Sequence, residues 1–95
     1  MTYAEAVKLV SRIVSEIQEI SDRETIKVTE ETIPIGGAPG FDSLNGVELA
    51  AMVDEVVGIG IVGNLCASKD GRRALSVGEI AERILEETSN KKGKS

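Results

Sequence analysis

The stretch Gly40-Phe41-Asp42-Ser43-Leu44-Asn45-Gly46-Val47-Glu48-Leu49-Ala50-Ala51-Met52-Val53-Asp54-Glu55-Val56-Val57-Gly58 decides how the chain folds. Asp42 is a good helix N-cap, because its carboxylate can accept from the free N–H groups of a first turn. Gly58 supplies a left-handed stop. A helix over 43–57 is therefore predicted, and Asn45-Gly46, elsewhere a hairpin-turn pair, has neighbours of helical period. At about 100° per residue, Leu49, Val53, Val56 and Val57 fall on one side with Gly46 and Ala50 beside them, as a core face. Leu44, Val47, Glu48, Ala51, Met52 and Glu55 fall on the other. Apolar side chains mixed with carboxylates opposite a core face have the composition of a protein-docking surface. The alternative is that a second element covers them.

Upstream, Thr2-Tyr3-Ala4-Glu5 is a capping box. Ala6, Val7, Val10, Ile13, Val14, Ile17 and Ile20 follow at three- and four-residue steps, predicting a helix over 3–20 that ends at Ser21-Asp22. Residues 22–41 hold no helical period. Ile26 and Val28 alternate with polar neighbours, and Ile33-Pro34-Ile35-Gly36-Gly37-Ala38-Pro39-Gly40 is broken by its prolines and glycines. The isoleucines and Val28 are expected to anchor this long loop to the core. Downstream, 63–69 is given one or two helical turns. Ser76 and Glu79 form a second capping box with Leu75 and Ile80 as a hydrophobic staple, and Val77, Ile80, Ala81, Ile84 and Leu85 complete a last helix. Three amphipathic helices, a short one between the second and the last, and no strand alternation predict an all-α bundle. Tyr3 and Phe41 are its only aromatics, so the core is aliphatic.

Ninety-five residues make one domain. Lys and Arg number 11 against 16 Asp and Glu, for a net charge of −5. Lys91, Lys92 and Lys94 lie in the tail, so residues 1–90 hold 8 basic against 16 acidic groups, or −8. That charge repels phosphate backbones and anionic lipid, which argues against nucleic acid and membrane partners and for basic protein surfaces. No apolar run approaches the ~20 residues of a membrane span, and the first residues do not read as a signal peptide. With no histidine, neither a Ser-His-Asp triad nor a His-ligated metal site can be built. Cys66 is the only cysteine, which excludes an internal disulfide and points to a reducing cytoplasm. It reads as a small buried contact. Gly58-Ile59-Gly60-Ile61-Val62-Gly63 satisfies a dinucleotide-binding glycine pattern but follows a helix, with no room for the βαβ unit that pattern needs.

Ser43 stands in the first turn of the central helix, where free N–H groups and the helix dipole favour a bound or attached phosphate. It is also readable as a plain cap. A self-activating nucleophile is the poorest reading, since the chain lacks both a histidine base and the Gly-x-Ser-x-Gly elbow. Gly40-Phe41-Asp42-Ser43-Leu44-Asn45-Gly46-Val47-Glu48-Leu49 resembles the Gly-x-Asp-Ser-Leu-x-x-Val-Glu-Leu signature of acyl carrier proteins. The order of an N-terminal helix, a long loop, the serine helix, a variable stretch and a capped last helix is similar as well.

The resemblance implies an acyl-carrier-like bundle over residues 1–88, with 89–95 as a flexible basic tail. It implies that Ser43 carries 4′-phosphopantetheine derived from coenzyme A, beside Asp42 as helix cap. A separate Mg²⁺-dependent phosphopantetheinyl transferase would attach it. The thiol of that arm would hold acyl groups as thioesters for fatty-acid, polyketide or specialised lipid biosynthesis. Leu44, Val47, Glu48, Met52 and Glu55 would then meet basic docking patches on acyl-loading and acyl-processing enzymes. Such a protein is a monomeric, non-catalytic carrier. Asn45, Val56-Val57 and the long 58–76 stretch depart from a fatty-acid carrier and favour a dedicated pathway. An aminoacyl or peptidyl carrier, and an unmodified helical interaction module, are the alternatives. Val53, Val56, Ile59, Ile61 and Ile80 would form the wall against which an acyl chain is buried.

Overall fold

A computed structural model describes residues 1–58 and 60–93, with side chains described through Ser89. Its helices are α1 (Tyr3–Ile20), α2 (Pro34–Gly37), α3 (Ser43–Val57) and α4 (Val77–Gly93). No strand occurs among the described residues, and extended pairing there is limited to an isolated antiparallel bridge between Ala67 and Ala74. The chain is thus a small all-α bundle of three main helices.

The first helix begins where its capping box puts it. The Thr2 hydroxyl accepts from the Glu5 N–H at 3.1 Å, and the Thr2 N–H donates to the Glu5 carboxylate at 2.8 Å. Ala6, Val10, Ile13, Val14 and Ile17 are buried along one stripe, while Ile20 is exposed past its end. Asp22 then turns left-handed at φ +55°, a conformation aspartate tolerates better than most residues. That stripe packs against both α3 and α4, so α1 is the element the other two share.

Gln18 lies on the same buried face and is fully enclosed. Its side-chain amide donates to the carbonyls of Glu24, at 3.0 Å, and Pro39, at 2.7 Å, tying both ends of the long loop to α1. The middle of the loop is held from the other side. Val77 and Gly78 donate their N–H groups to Thr32 and Glu30, each at 2.8 Å, which satisfies donors that a helix start leaves without partners. Pro34, Ala38 and Phe41 are buried, and Ile26, Val28 and Ile35 pack partly on the core. Ile33 is an exception to the expected anchoring, with its side chain exposed. The short helix falls here rather than over 63–69. It is a single turn opened by Pro34, and its inner residues Ile35 and Gly36 leave helical geometry.

Residues 60–76 form a loop whose backbone groups pair across it instead of along a helix. Leu75 N–H donates to Cys66 at 2.9 Å, and Ser68 N–H to Arg73 at 2.8 Å. Gly60, Gly63 and Gly71 all take positive φ, which interrupts any helical run. The Asp54 carboxylate accepts from Gly60 and Ile61, at 2.7 and 3.0 Å, and fixes the departure from α3. Leu65, Cys66 and Leu75 are buried and root the loop in the core.

The second capping box opens α4: Glu79 N–H donates to the Ser76 hydroxyl at 3.2 Å, and Ser76 N–H to the Glu79 carboxylate at 2.9 Å. Val77, Ile80, Ala81 and Ile84 are buried, whereas Leu85 is half-buried. The helix continues to Gly93, several residues beyond the polar turn at Glu87 where the sequence predicts its fraying.

Replacing Gln18 by leucine is expected to destabilise the fold by about 1–3 kcal/mol in urea unfolding, because two carbonyls lose their donor. Amide exchange should accelerate across residues 24–40 more than elsewhere; uniform protection in that loop would show that Gln18 is not its tie. Glu79 provides a pH test. The Ser76 N–H, and after it Arg73, hold its carboxyl below the ordinary 4.5. A depressed folded-state pKa stabilises above the ordinary value, and that contribution is lost as pH falls through the folded value. Glu79→Gln should therefore lower stability at neutral pH and flatten its decline on acidification below about pH 4.5.

Candidate functional site

The start of α3 is a converging point of three segments. Asp42 is extended and caps the helix, its carboxylate accepting from Leu44 N–H at 3.0 Å and Asn45 N–H at 3.2 Å. Asn45 returns the bond, its side-chain oxygen accepting from Asp42 N–H at 3.1 Å. The same oxygen accepts from the Arg23 guanidinium at 2.8 Å, and the Asn45 amide donates to Glu48 at 3.1 Å. Arg23 comes from the loop after α1 and passes over Gly40, which has φ +75°; a Cβ there would lie 2.8 Å from Arg23 Cδ. These bonds explain how Asn45 is buried at 8% exposure although it is polar.

Burial of Asn45 rotates the core face from its predicted position. Asn45, Gly46, Leu49, Ala50 and Val53 are buried, Val57 is half-buried, and Val56 is exposed, not part of the core. On the far side Leu44 is 78% and Val47 47% exposed, with Glu48, Ala51 and Glu55 also exposed. Met52 differs from expectation: it is half-buried and packs against the core. Among the described residues no second element covers Leu44 or Val47, so the apolar-acidic surface is open.

Ser43 is exposed at the first helical position, and its hydroxyl makes no hydrogen bond among the described residues. It borders a surface groove of about 540 Å³ whose other walls come from Ile35, from parts of the loop after α3, Asp70 not among them, and from Arg83. The Asp42 carboxylate serves the cap, its Oδ1 accepting both backbone N–H groups. Gly46 lets the 60–76 loop approach: a Cβ at that position would collide with the Asn64 side chain, whose oxygen accepts from Cys66 N–H at 2.9 Å.

Cys66 itself is fully buried, and burial pushes its thiol up to about 12. It is buried as the sequence suggests, but in a loop and not a helix. Of the five aliphatic residues expected to line an acyl site, Val53 and Ile80 are sealed in the core, Ile61 is half-buried, and Val56 is exposed. Ile59 lies outside the described residues. No described helix is long and apolar enough to cross a membrane. Arg23 and Asn64 are the contributors that periodicity misses, since each acts through a contact distant in sequence. No family model, curated protein or solved structure matches the chain.

By helix propensity alone Gly46→Ala would stabilise by about 1 kcal/mol. The collision with Asn64 reverses the expected sign, giving a net loss of roughly 1–2 kcal/mol as that side chain is displaced from the Cys66 N–H. A rise in Tm for Gly46→Ala would show that the loop does not rest on α3 in this way.

Proposed function

We propose that the chain is an acyl carrier protein and that Ser43 is the attachment point for 4′-phosphopantetheine. The observation that carries this reading is the exposed, unbonded Ser43 hydroxyl at a rigidly capped helix start, next to an open apolar-acidic face. The residues present fit such a group. The hydroxyl is free to become an ester oxygen, and the adjoining groove of about 540 Å³ falls within the size range of small-molecule sites. Bound there, the group would supply a terminal thiol for thioester chemistry. The remaining work belongs to the protein's own residues.

Ser43 Oγ would contribute the ester oxygen, its proton passing to a base of the transferase, while the phosphoanhydride bond of coenzyme A breaks and adenosine 3′,5′-bisphosphate leaves. The chain itself holds no histidine to serve as that base. Asp42 and Asn45 hold the hydroxyl at a fixed place relative to Leu44, Val47, Glu48 and Glu55. A partner that seats on those side chains therefore meets Ser43 in a defined position. Met52 supports this surface from beneath. A tether of this kind raises the effective concentration of its cargo at each docked enzyme, with no catalysis by the carrier. The departures at Asn45 and in the 60–76 loop favour a dedicated polyketide, peptide or special-lipid system over general fatty-acid synthesis.

Incubation with coenzyme A and a broad-specificity phosphopantetheinyl transferase should add one phosphopantetheine mass to the wild type and none to a folded Ser43→Ala variant. Modification of Ser43→Ala would sink the assignment of the site, and no modification of the wild type would leave an unmodified interaction module. Glu48→Lys should slow modification mainly through association, with the defect shrinking as salt screens the charges. Val47→Asp should weaken docking at any salt.

A further inference from the structure

The groove beside Ser43 has a charge opposite to that of the molecule around it. Lys69, Arg72, Arg73 and Arg83 all line it, four of the 11 basic residues of the chain, and no aspartate or glutamate does. Three of the four are placed by the turn at the tip of the 60–76 loop. There the Asp70 carboxylate accepts from the Ser68 hydroxyl at 2.6 Å and from Arg72 N–H at 3.0 Å, and so serves the turn. Arg73 pairs with Glu79 at 3.0 Å. Arg83 donates to the Ala67 carbonyl at 2.6 Å, while its Nε is buried with no partner among the described residues. Lys69 and Arg72 make no ion pair among the described residues.

Lys69, Arg72 and Arg83 make no ion pair among the described residues, and beside the paired Arg73 they leave an excess of positive charge in one concavity that a bound anion would relieve. Arg73 and Arg83 have structural bonds, to Glu79 and to the Ala67 carbonyl, but Lys69 and Arg72 have no side-chain bond among the described residues, and folding gives no reason for their place beside the other two. A phosphate group suits the lining: it accepts charge-assisted hydrogen bonds from several donors at once, and arginine is well shaped to give them. An acidic protein surface suits it less, because such a surface would also meet Glu48 and Glu55 on the adjoining helix.

We propose that the groove formed by Lys69, Arg72, Arg73 and Arg83 beside Ser43 is a binding site for a phosphate group. Two sources share that chemistry: a phosphodiester joined to Ser43, and a free phosphorylated small molecule. The tethered form rests on the Ser43 assignment; the free form does not. In the tethered form the cations neutralise the phosphodiester and lay the near end of the arm along the loop, so that the arm is docked between visits to partners.

Lys69→Ala/Arg72→Ala is the variant of choice, because neither side chain holds the fold through an ion pair. The unmodified chain is titrated with inorganic phosphate and with free 4′-phosphopantetheine, with sodium chloride as the control, and amide shifts of residues 63–74 are followed. Saturable shifts in the wild type, weakened roughly fivefold or more in the variant, support the site. In chain shown by mass to carry the arm, the ³¹P resonance and the same amides should differ between wild type and variant. Arm attachment without any of these differences, and without a phosphate response in the unmodified chain, overturns the groove and leaves Ser43 standing. A phosphate response in a chain that never gains mass supports the groove and overturns Ser43. Equal shifts in wild type and variant, or equal shifts with chloride, overturn the groove.

Discussion

The reciprocal cap between Asp42 and Asn45 is the interaction on which the rest of this molecule depends. It fixes the residue at which α3 begins, and a helix that begins one residue later presents every side chain about 100° away. Because Asn45 also receives Arg23 and bonds Glu48, the cap is not local. It couples the loop leaving α1 to the exposed face of α3. Next to it, Gly46 admits Asn64 and so brings in the loop that leads to α4. Three stretches far apart in sequence are thereby placed within one turn of Ser43, and α1 carries the packing that holds them together.

Much of this was legible in the sequence, and the parts that were share a physical basis. The capping boxes at Thr2–Glu5 and Ser76–Glu79, the cap at Asp42 and the stop at Gly58 are set by bonds spanning three or four residues, so a linear reading reaches them. So is the stripe from Ala6 to Ile17. The failures lie where contacts are distant. Nothing in the periodicity of α3 marks Asn45 as buried; Arg23 reaches it from a distant loop, and the observed core face leaves Val56 outside and Met52 partly inside. Gln18 is not part of the apolar stripe that periodicity picks out, yet it is buried, its amide donating to two carbonyls, one of them 21 residues away. The 60–76 loop offered glycines and a few apolar residues, a pattern as compatible with a helical turn as with a bridged loop. Backbone pairing across Cys66 and Leu75 decides the matter, and no periodicity encodes it.

Charge is arranged in this molecule by location, not by average. The acidic body and the carboxylates of α3 favour basic partner surfaces, while the groove a short distance away carries the opposite sign. A partner that approaches with uniform positive charge is drawn to Glu48 and Glu55 and repelled at Arg72 and Arg73. Two regions of opposite sign would orient a charged partner as well as attract it. Three of the four cations come from the loop between α3 and α4, which departs from regular helix yet is rooted in the core by Leu65, Cys66 and Leu75.

The depth of Cys66 has a consequence for chemistry outside the fold. With its thiol held at about 12 and no other cysteine in the chain, the folded protein offers essentially no thiolate at neutral pH. A thioester on any group attached to the protein would have no internal thiolate to which it could transfer, and two folded copies have no exposed cysteine through which to form a disulfide. Any alkylating or maleimide reagent that reacts with the native protein under mild conditions therefore reports a thiol that was added to it, which makes the unmodified chain its own blank.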